Sequence, residues 1–104
     1  MIVQTVLGPL ADIPVGEGRA YLVDGHPVAV FHLRDGSVRA VSAVCPHAGG
    51  PIADGLTDLS CVVCPLHQHT FDLATGRSTT SAHTLTVYPA TISDEGQVVI
   101  GTPL

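Results

Sequence analysis

Lysine is absent from this sequence of 104 residues, which sets four arginines against nine carboxylates and gives a formal net charge of −5. A chain with this balance and no cluster of basic residues has little attraction for phosphate groups. We therefore expect neither nucleic acid nor an anionic membrane surface as a partner. A basic or neutral surface of another protein would be attracted to this chain instead.

Long apolar runs are also missing. Residues 1–18 have no positively charged start, no long apolar centre and no small-residue cleavage site, so they do not predict a signal peptide. No apolar run approaches the roughly 18 residues that a membrane span requires. We therefore expect a cytoplasmic protein.

Cysteine is scarce, since the chain has only three: Cys45, Cys61 and Cys64. An odd number of cysteines in a cytosolic protein favours free or metal-bound thiols over structural disulfides. Hydrophobic residues make up 45% of the chain and charged residues 12%, a composition that predicts a globular fold. The length suits a single domain, which we expect to span residues 1–104.

Glycine and proline, in contrast, are abundant, and eleven glycines and eight prolines divide the chain into short pieces. The pieces have strand character, and no window carries a helical apolar stripe over three turns. We predict an all-β barrel or sandwich with one helical turn near Leu10–Ile13. The weak alternation of Val28–Phe31 indicates a strand covered on both faces. The predicted strands are 19–23, 28–33, 37–43, 59–63, 69–73, 85–88 and 98–100, with turns at 24–25, 35–36, 72–76 and 94–96.

Two short motifs combine cysteine and histidine: Cys45-x-His47 and, after sixteen intervening residues, Cys64-x-x-His67. Each contains proline next to the cysteine and lies between predicted strands. One such motif alone is weak evidence, but two together supply a thiolate and an imidazole from each of two loops. This is a ligand set suited to a metal centre.

The stretches CPHAGGPIADG and CPLHQHTFDLATG, which contain the motifs, resemble the two cluster-binding loops of the Rieske [2Fe-2S] family. The hairpins before Cys45 and the strand TVYPATI also fall where that family has strands. The resemblance implies an antiparallel β-sandwich or barrel with a small cluster-binding subdomain at about 44–76. It further implies one [2Fe-2S] cluster with Cys45 and Cys64 on one iron and His47 and His67 on the other.

Two ferric irons, two sulfides and two thiolates sum to zero charge, so such a cluster accepts an electron more readily than one with four thiolates. We expect three kinds of supporting residue around it: prolines that stiffen the loops, glycines that let the backbone turn and approach the sulfides, and an apolar cover. These residues are Pro46 and Pro65; Gly49, Gly50 and Gly55; and Pro51, Leu66 and Phe71.

Two other interpretations remain open. The cysteines can be small buried residues and the histidines ordinary loop residues. Alternatively, Cys61-x-x-Cys64 has the spacing of a zinc knuckle, which with Cys45 and a histidine would form a structural zinc site in a non-redox adaptor. Against zinc, Cys61 lies in the apolar run 59–63, and we expect it to be a core residue. His26, His32, His69 and His83 are assigned to surface, strand or loop positions, and Asp72 to a turn.

Departures from the family's subtypes narrow the function. Rieske subunits of respiratory and photosynthetic complexes carry an additional cysteine in each loop, where this sequence has Gly50 and Leu66. They also direct a serine and a tyrosine hydroxyl at the cluster, where this sequence has His69 and Phe71. Fewer donors stabilise the reduced cluster less, which predicts a potential near the low end of the Rieske range, about −150 mV. Residues 68–104 hold no second metal triad, so we expect no independent catalytic site.

The resemblance thus implies a carrier of single electrons from a reductase to a terminal oxidoreductase. One family branch is the ferredoxin that links a flavin-dependent NAD(P)H reductase to an aromatic-ring dioxygenase. The other is the small subunit of NAD(P)H-dependent nitrite reductase, docked on a large subunit. The stretch from IPVGEG to PIADG is similar to the second branch, which we favour, although many of its members lack the four ligands present here. The dioxygenase ferredoxin is the alternative.

Overall fold

The computed structural model describes residues 4–23, 25–44, 52–57, 60–64, 70–79 and 84–101. Within these residues the secondary structure consists of ten strands and two 3-10 helices, Leu10–Asp12 and Ile52–Asp54. Neither helix has the length or apolar character required to cross a bilayer. The strands are β1 Thr5–Pro9, β2 Gly18–Val23, β3 His26–His32, β4 Val38–Ser42, β5 Leu56–Thr57, β6 Cys61–Val63, β7 Thr70–Asp72, β8 Val87–Tyr88, β9 Ala90–Ile92 and β10 Gln97–Ile100.

The described strands form three antiparallel sheets. The central sheet has the order β2-β3-β4-β8, a second sheet has the order β1-β10-β9, and a third has the order β5-β6-β7. The predicted all-β class and the predicted helical turn are confirmed, and each predicted strand overlaps an observed one. Residues 59 and 69, where two of those strands were expected to begin, lie outside the described residues. The third sheet occupies part of the predicted cluster-binding subdomain.

Strand β3 is covered on both faces, as its weak alternation predicts. Val28 and Val30 belong to one buried cluster, whereas Ala29 and Phe31 belong to another. We call the cluster that contains Cys64 the ligand-side core and the other the far core. Burying each large apolar side chain in them contributes about 1.5–3 kcal/mol. The ligand-side core comprises Ala29, Phe31, Leu33, Val41, Ala43, Ile52, Val62, Cys64, Phe71, Leu73 and Leu85, and the far core Ile13, Val28, Val30, Ala40, Val98 and Ile100.

The turn after β7 explains the position of Asp72. Its Oδ1 accepts hydrogen bonds from the N–H groups of Ala74 at 2.8 Å and Thr75 at 3.1 Å. The turn ends at Gly76, whose φ of 77° lies in the left-handed region that favours glycine. The prediction that Asp72 forms a turn is therefore confirmed.

Strand β1 is not predicted from the sequence, because its last two residues, Gly8 and Pro9, read as strand breakers. In the structure it is an edge strand that pairs with β10, and its register shifts between Val6 and Gly8. Glycine at a bulge and proline on an edge strand are both compatible with a sheet. The breakers therefore end the strand without preventing it.

Candidate metal centre

Cys64 is the one predicted ligand that lies within the described residues. It directly follows β6, its side chain is 0% exposed, and its thiol is free and belongs to the ligand-side core. The supporting residues Gly55 and Phe71 are also described, and Phe71 is fully buried in the same core. The other predicted ligands and supporting residues lie outside the described residues: Cys45, His47, His67, Pro46, Gly49, Gly50, Pro51, Pro65 and Leu66.

The first ligand loop, residues 44–51, is flanked by two residues that are hydrogen-bonded to each other. The N–H of Ile52 donates a hydrogen bond of 2.9 Å to the carbonyl oxygen of Ala43. The N–H of Ala43 in turn donates to the carbonyl oxygen of Pro27 at 3.0 Å, at the start of β3. We call the pair Ala43 and Ile52 the root of the first loop. Since both residues are buried in the ligand-side core, this root is fixed on the central sheet.

The second ligand loop, residues 64–69, connects β6 to β7. These strands are antiparallel and their last pair is Val63 with Thr70, which holds the two ends of the loop next to each other. The neighbouring pair, Val62 with Phe71, is fully buried in the ligand-side core. We call these two residue pairs the root of the second loop. This root therefore packs in the same core as the root of the first loop.

The residues between the two loops bring the two roots together. Ile52 begins a 3-10 helix, and Leu56 of the following strand β5 pairs with Val63 at the end of β6. A Cβ added at Gly55 would overlap the carbonyl oxygen of Val63 and lie 2.9 Å from Val62 Cγ2. From the sequence we expect the backbone at Gly55 to lie close to a sulfide of the cluster. In the structure the backbone at Gly55 lies close to Val62 and Val63 of β6.

The expectation that Cys61 is a core residue is wrong. Along β6 and the residue after it, Cys61 and Val63 are half-buried, whereas Val62 and Cys64 are fully buried. Side chains alternate between the faces of a strand, so residues three apart point in opposite directions. Cys61 therefore lies on the outer face, where its Sγ is 3.6 Å from Ser60 Oγ. A zinc knuckle needs both thiols on one side, which this arrangement does not provide.

The two histidines within the described part of the chain have structural positions. His26 is exposed at the start of β3, and half-buried His32 places Nδ1 2.8 Å from the carbonyl oxygen of Ile13. The strand and surface assignments of these two residues are confirmed. His69 and His83 lie outside the described residues.

On the side that the structure describes, Cys64 is surrounded by apolar residues. Among the described residues no polar or charged side chain is buried, and no group of three His, Cys, Asp or Glu side chains is close enough to hold a metal ion. A nucleophilic cysteine is activated by a neighbouring base or by a nearby positive charge, and the described core offers neither. The donor set that Cys64 would complete, two thiolates and two imidazoles, is the set that a Rieske cluster uses.

Comparisons with known proteins agree with this interpretation. The model of a family described as the Rieske-like [2Fe-2S] domain matches residues 4–101. The ferredoxin component of a naphthalene 1,2-dioxygenase system from Pseudomonas aeruginosa is 31% identical over 91 residues, or 88% of this chain and 86% of that protein. The ferredoxin subunit of 3-phenylpropionate/cinnamic acid dioxygenase from Escherichia coli K12 is 35% identical over 98 residues, or 91% of this chain and 90% of the relative.

A solved structure is similar over nearly the whole chain. It is the protein from Mycobacterium tuberculosis assigned as the small subunit of an NADH-dependent nitrite reductase, with a TM-score of 0.91 and 30% sequence identity. The alignment covers 98% of this chain and 96% of that protein. This chain is therefore similar to proteins assigned to both branches, the dioxygenase ferredoxins and the nitrite reductase small subunit.

Proposed function

We propose that this chain passes single electrons from a reductase to a terminal oxidoreductase. The chain belongs to the Rieske-like [2Fe-2S] domain family. Membership in this family implies one Rieske-type [2Fe-2S] cluster, whose chemistry is the uptake and release of one electron. The observation that carries the proposal is the convergence of both ligand-loop roots on one core in which the Cys64 thiol is buried.

The residues that would hold the cluster are Cys45 and Cys64 on one iron and His47 and His67 on the other. The described part of the chain fits this role, because Cys64 is a soft ligand placed in apolar surroundings. Val62 and Phe71, both fully buried, exclude water from the side of Cys64 that faces the core. The chain's own contribution is to hold the ligands and keep the site dry, and we propose no separate catalytic site.

The proposed partners are a flavin-dependent NAD(P)H reductase as electron donor and a terminal oxidoreductase or large subunit as acceptor. The net charge of −5 favours partners with basic docking surfaces, because opposite charges speed the encounter of transient complexes. We propose a cytoplasmic location and a single domain over residues 1–104.

Two kinds of acceptor are candidates. A nitrite-reductase large subunit is supported by the similarity to the Mycobacterium tuberculosis structure over 98% of the chain. An aromatic-ring dioxygenase is supported by the two curated relatives, both of which are ferredoxin components of dioxygenase systems. Reduced protein mixed with each acceptor would distinguish them, since only the true acceptor reoxidises it rapidly and at a rate that falls with ionic strength.

The cluster is tested by absorption and low-temperature EPR spectra of protein purified without chelators, before and after dithionite. We expect a brown protein whose reduced form has an average g value below that of ferredoxins with four cysteine ligands. A colourless, EPR-silent protein with one zinc per chain would overturn the electron-transfer proposal.

The ligand assignment is tested by His67→Cys. An added thiolate makes the cluster more negative and should lower its midpoint potential. His26→Cys is the control, because His26 is exposed on β3 and is not a proposed ligand. An unchanged potential in His67→Cys would contradict the assignment.

A further inference from the structure

The segment Ile52–Thr57 lies between the two ligand loops and contacts the roots of both. We propose that Gly55 is a positioning residue of the metal centre, because its missing side chain sets the separation between the two loops. This inference rests on the proposed function and concerns how the chain holds its ligands apart at a fixed distance. It is derived from three sets of contacts.

The first contact fixes the segment to the first ligand loop. Ile52 directly follows that loop, its N–H is bonded to the carbonyl oxygen of Ala43 at 2.9 Å, and its side chain is fully buried. The carbonyl oxygen of Ile52 then accepts a hydrogen bond of 2.9 Å from the N–H of Gly55. Gly55 is thus tied to the root of the first loop through one short 3-10 turn.

The second contact fixes the segment to the second ligand loop. The carbonyl group of Val63, which an added Cβ at Gly55 would overlap, belongs to the same planar peptide unit as the N–H of Cys64. Gly55 therefore lies directly against the peptide that carries a predicted ligand. Its φ is not in the left-handed region, so the requirement for glycine here is one of space and not of backbone conformation.

The third contact prevents the segment from moving away. On its other side the carbonyl oxygen of Ala53 faces Gly18 of β2, where an added Cβ would lie only 2.8 Å from that oxygen and would overlap the ring of Phe31. The segment is therefore held between the central sheet and β6 without spare room on either side. A methyl group at position 55 has to displace the peptide of Val63 and Cys64, and with it one ligand loop relative to the other.

The test compares Gly55→Ala with Gly76→Ala in the full chain carrying its cluster. An added Cβ at Gly76 would also overlap a carbonyl oxygen, that of Leu85, and Gly76 has a left-handed φ as well. Gly76→Ala therefore disturbs the fold at least as much, but the atoms that the added Cβ would meet belong to Leu85 and Val87, neither of which is part of a loop root. The readouts are the g values of the reduced cluster, its midpoint potential, its rate of loss to a chelator and the melting temperature.

We expect both variants to melt earlier, but only Gly55→Ala to shift the g values and the potential and to hold the cluster about tenfold less firmly. Gly55→Ala with the g values, potential and retention of the parent protein would overturn the inference. A parent protein without Rieske g values would overturn the proposed function, and the inference with it, so the two failures are distinguishable.

If Gly55→Ala does not fold, Ile52→Val replaces it, with Ile13→Val as the control. Both isoleucines are almost completely buried, but Ile52 anchors the segment in the ligand-side core and Ile13 lies in the far core. We expect a shift of the g values in Ile52→Val and none in Ile13→Val. If Ile52→Val and Ile13→Val both keep the g values of the parent protein, the inference is wrong.

Discussion

The two cores on either side of β3 are packed in different ways. The two phenylalanines, Phe31 and Phe71, are both in the ligand-side core, whereas the far core is aliphatic, with Tyr21 and Tyr88 partly buried at its edge. The described glycines that leave no room for a Cβ all lie on the ligand side, and those with open space around them lie outside both cores. Gly18, Gly55 and Gly76 lie against residues of the ligand-side core and leave no room for a Cβ, whereas nothing lies within 4 Å of an added Cβ at Gly8, Gly25, Gly36 and Gly96.

This difference shows in which part of the molecule the positions of the backbone atoms tolerate the least change. On the ligand side, backbone packs against backbone, and a carbonyl oxygen cannot change rotamer to accommodate a neighbour. In the far core, side chain packs against side chain, and such cores adapt to substitutions that keep their volume. The ligand side holds the roots of two loops that must meet at one site, while the far core only has to hold two sheets together.

The largest effect is expected from Phe71→Ala. Removing this fully buried ring leaves a cavity in the ligand-side core and should cost about 3–5 kcal/mol of unfolding free energy, measured by urea denaturation. Val6→Ala is the control, since Val6 is 62% exposed and its loss should change stability by less than about 0.5 kcal/mol. A loss below about 1 kcal/mol in Phe71→Ala would contradict the exact packing assigned to the ligand-side core.

The next largest loss of stability is expected at Gly76. Gly36 is needed only for its backbone conformation, whereas Gly76 is needed for its conformation and also because there is no room for a side chain. Gly36 and Gly76 both have left-handed φ angles, 88° and 77°, so Gly36→Ala should cost about 1–2 kcal/mol. Gly76→Ala should cost about 1–3 kcal/mol more, because the new Cβ overlaps the carbonyl oxygen of Leu85. Equal losses in thermal or urea unfolding would show that the backbone at Gly76 yields to the methyl group.

A matched pair of valines tests whether the cores differ in their influence on the metal centre. Val62 and Val98 are both fully buried, one in each core, and truncation of either to alanine should cost about 2 kcal/mol. We expect equal losses of stability but altered EPR g values only in Val62→Ala, because Val62 lies two residues before Cys64. Altered g values in Val98→Ala would remove the distinction between the two cores.

The smallest effect concerns the exposed turn between β3 and β4. The Ser37 hydroxyl, and next its N–H, donate to Asp35 Oδ1 and lower the pKa of that carboxyl. Since the folded-state pKa is the lower one, ionised Asp35 stabilises the fold above the unfolded-state pKa of about 3.9 and loses this contribution as the pH falls through the folded value.

Ser37→Ala should raise the pKa of Asp35, measured from the carboxyl carbon chemical shift during an NMR titration. It should leave the cluster's g values unchanged, because the described hydrogen bonds of the turn are made within it and to neither loop root. An unchanged Asp35 titration would contradict the assigned cause of the shift.

Much of the fold follows from local sequence signals. Asp-Gly turns and the continuous apolar run of β3 predict the central sheet, and the structure confirms that both faces of β3 are covered. Strand β1 is missed because its partner, β10, comes from the other end of the chain and supplies the hydrogen bonds that override Gly8 and Pro9. The segment Ile52–Thr57 is missed for a similar reason, since its shape depends on contacts with β2 and β6.

The candidate site likewise has features that local sequence signals predict and features that depend on contacts between distant residues. The spacing of cysteine and histidine predicts four ligands, of which the described residues include Cys64, buried as a ligand at a loop root would be. The mistake over Cys61 arises because an apolar run does not tell which face of a short strand is inside; burial of Val62 decides it. The role proposed for Gly55 depends on a carbonyl group of another strand, and no local pattern encodes that.

The backbone hydrogen bond between Ile52 and Ala43, together with the pairing of Val63 and Thr70, has a consequence for the order of assembly. Bringing the ends of a loop together costs entropy, and here contacts within the protein offset that cost at both loops. In a zinc finger the metal itself supplies the energy of folding. We therefore expect this chain to fold before it receives iron and sulfide, and to stay folded when the cluster is lost.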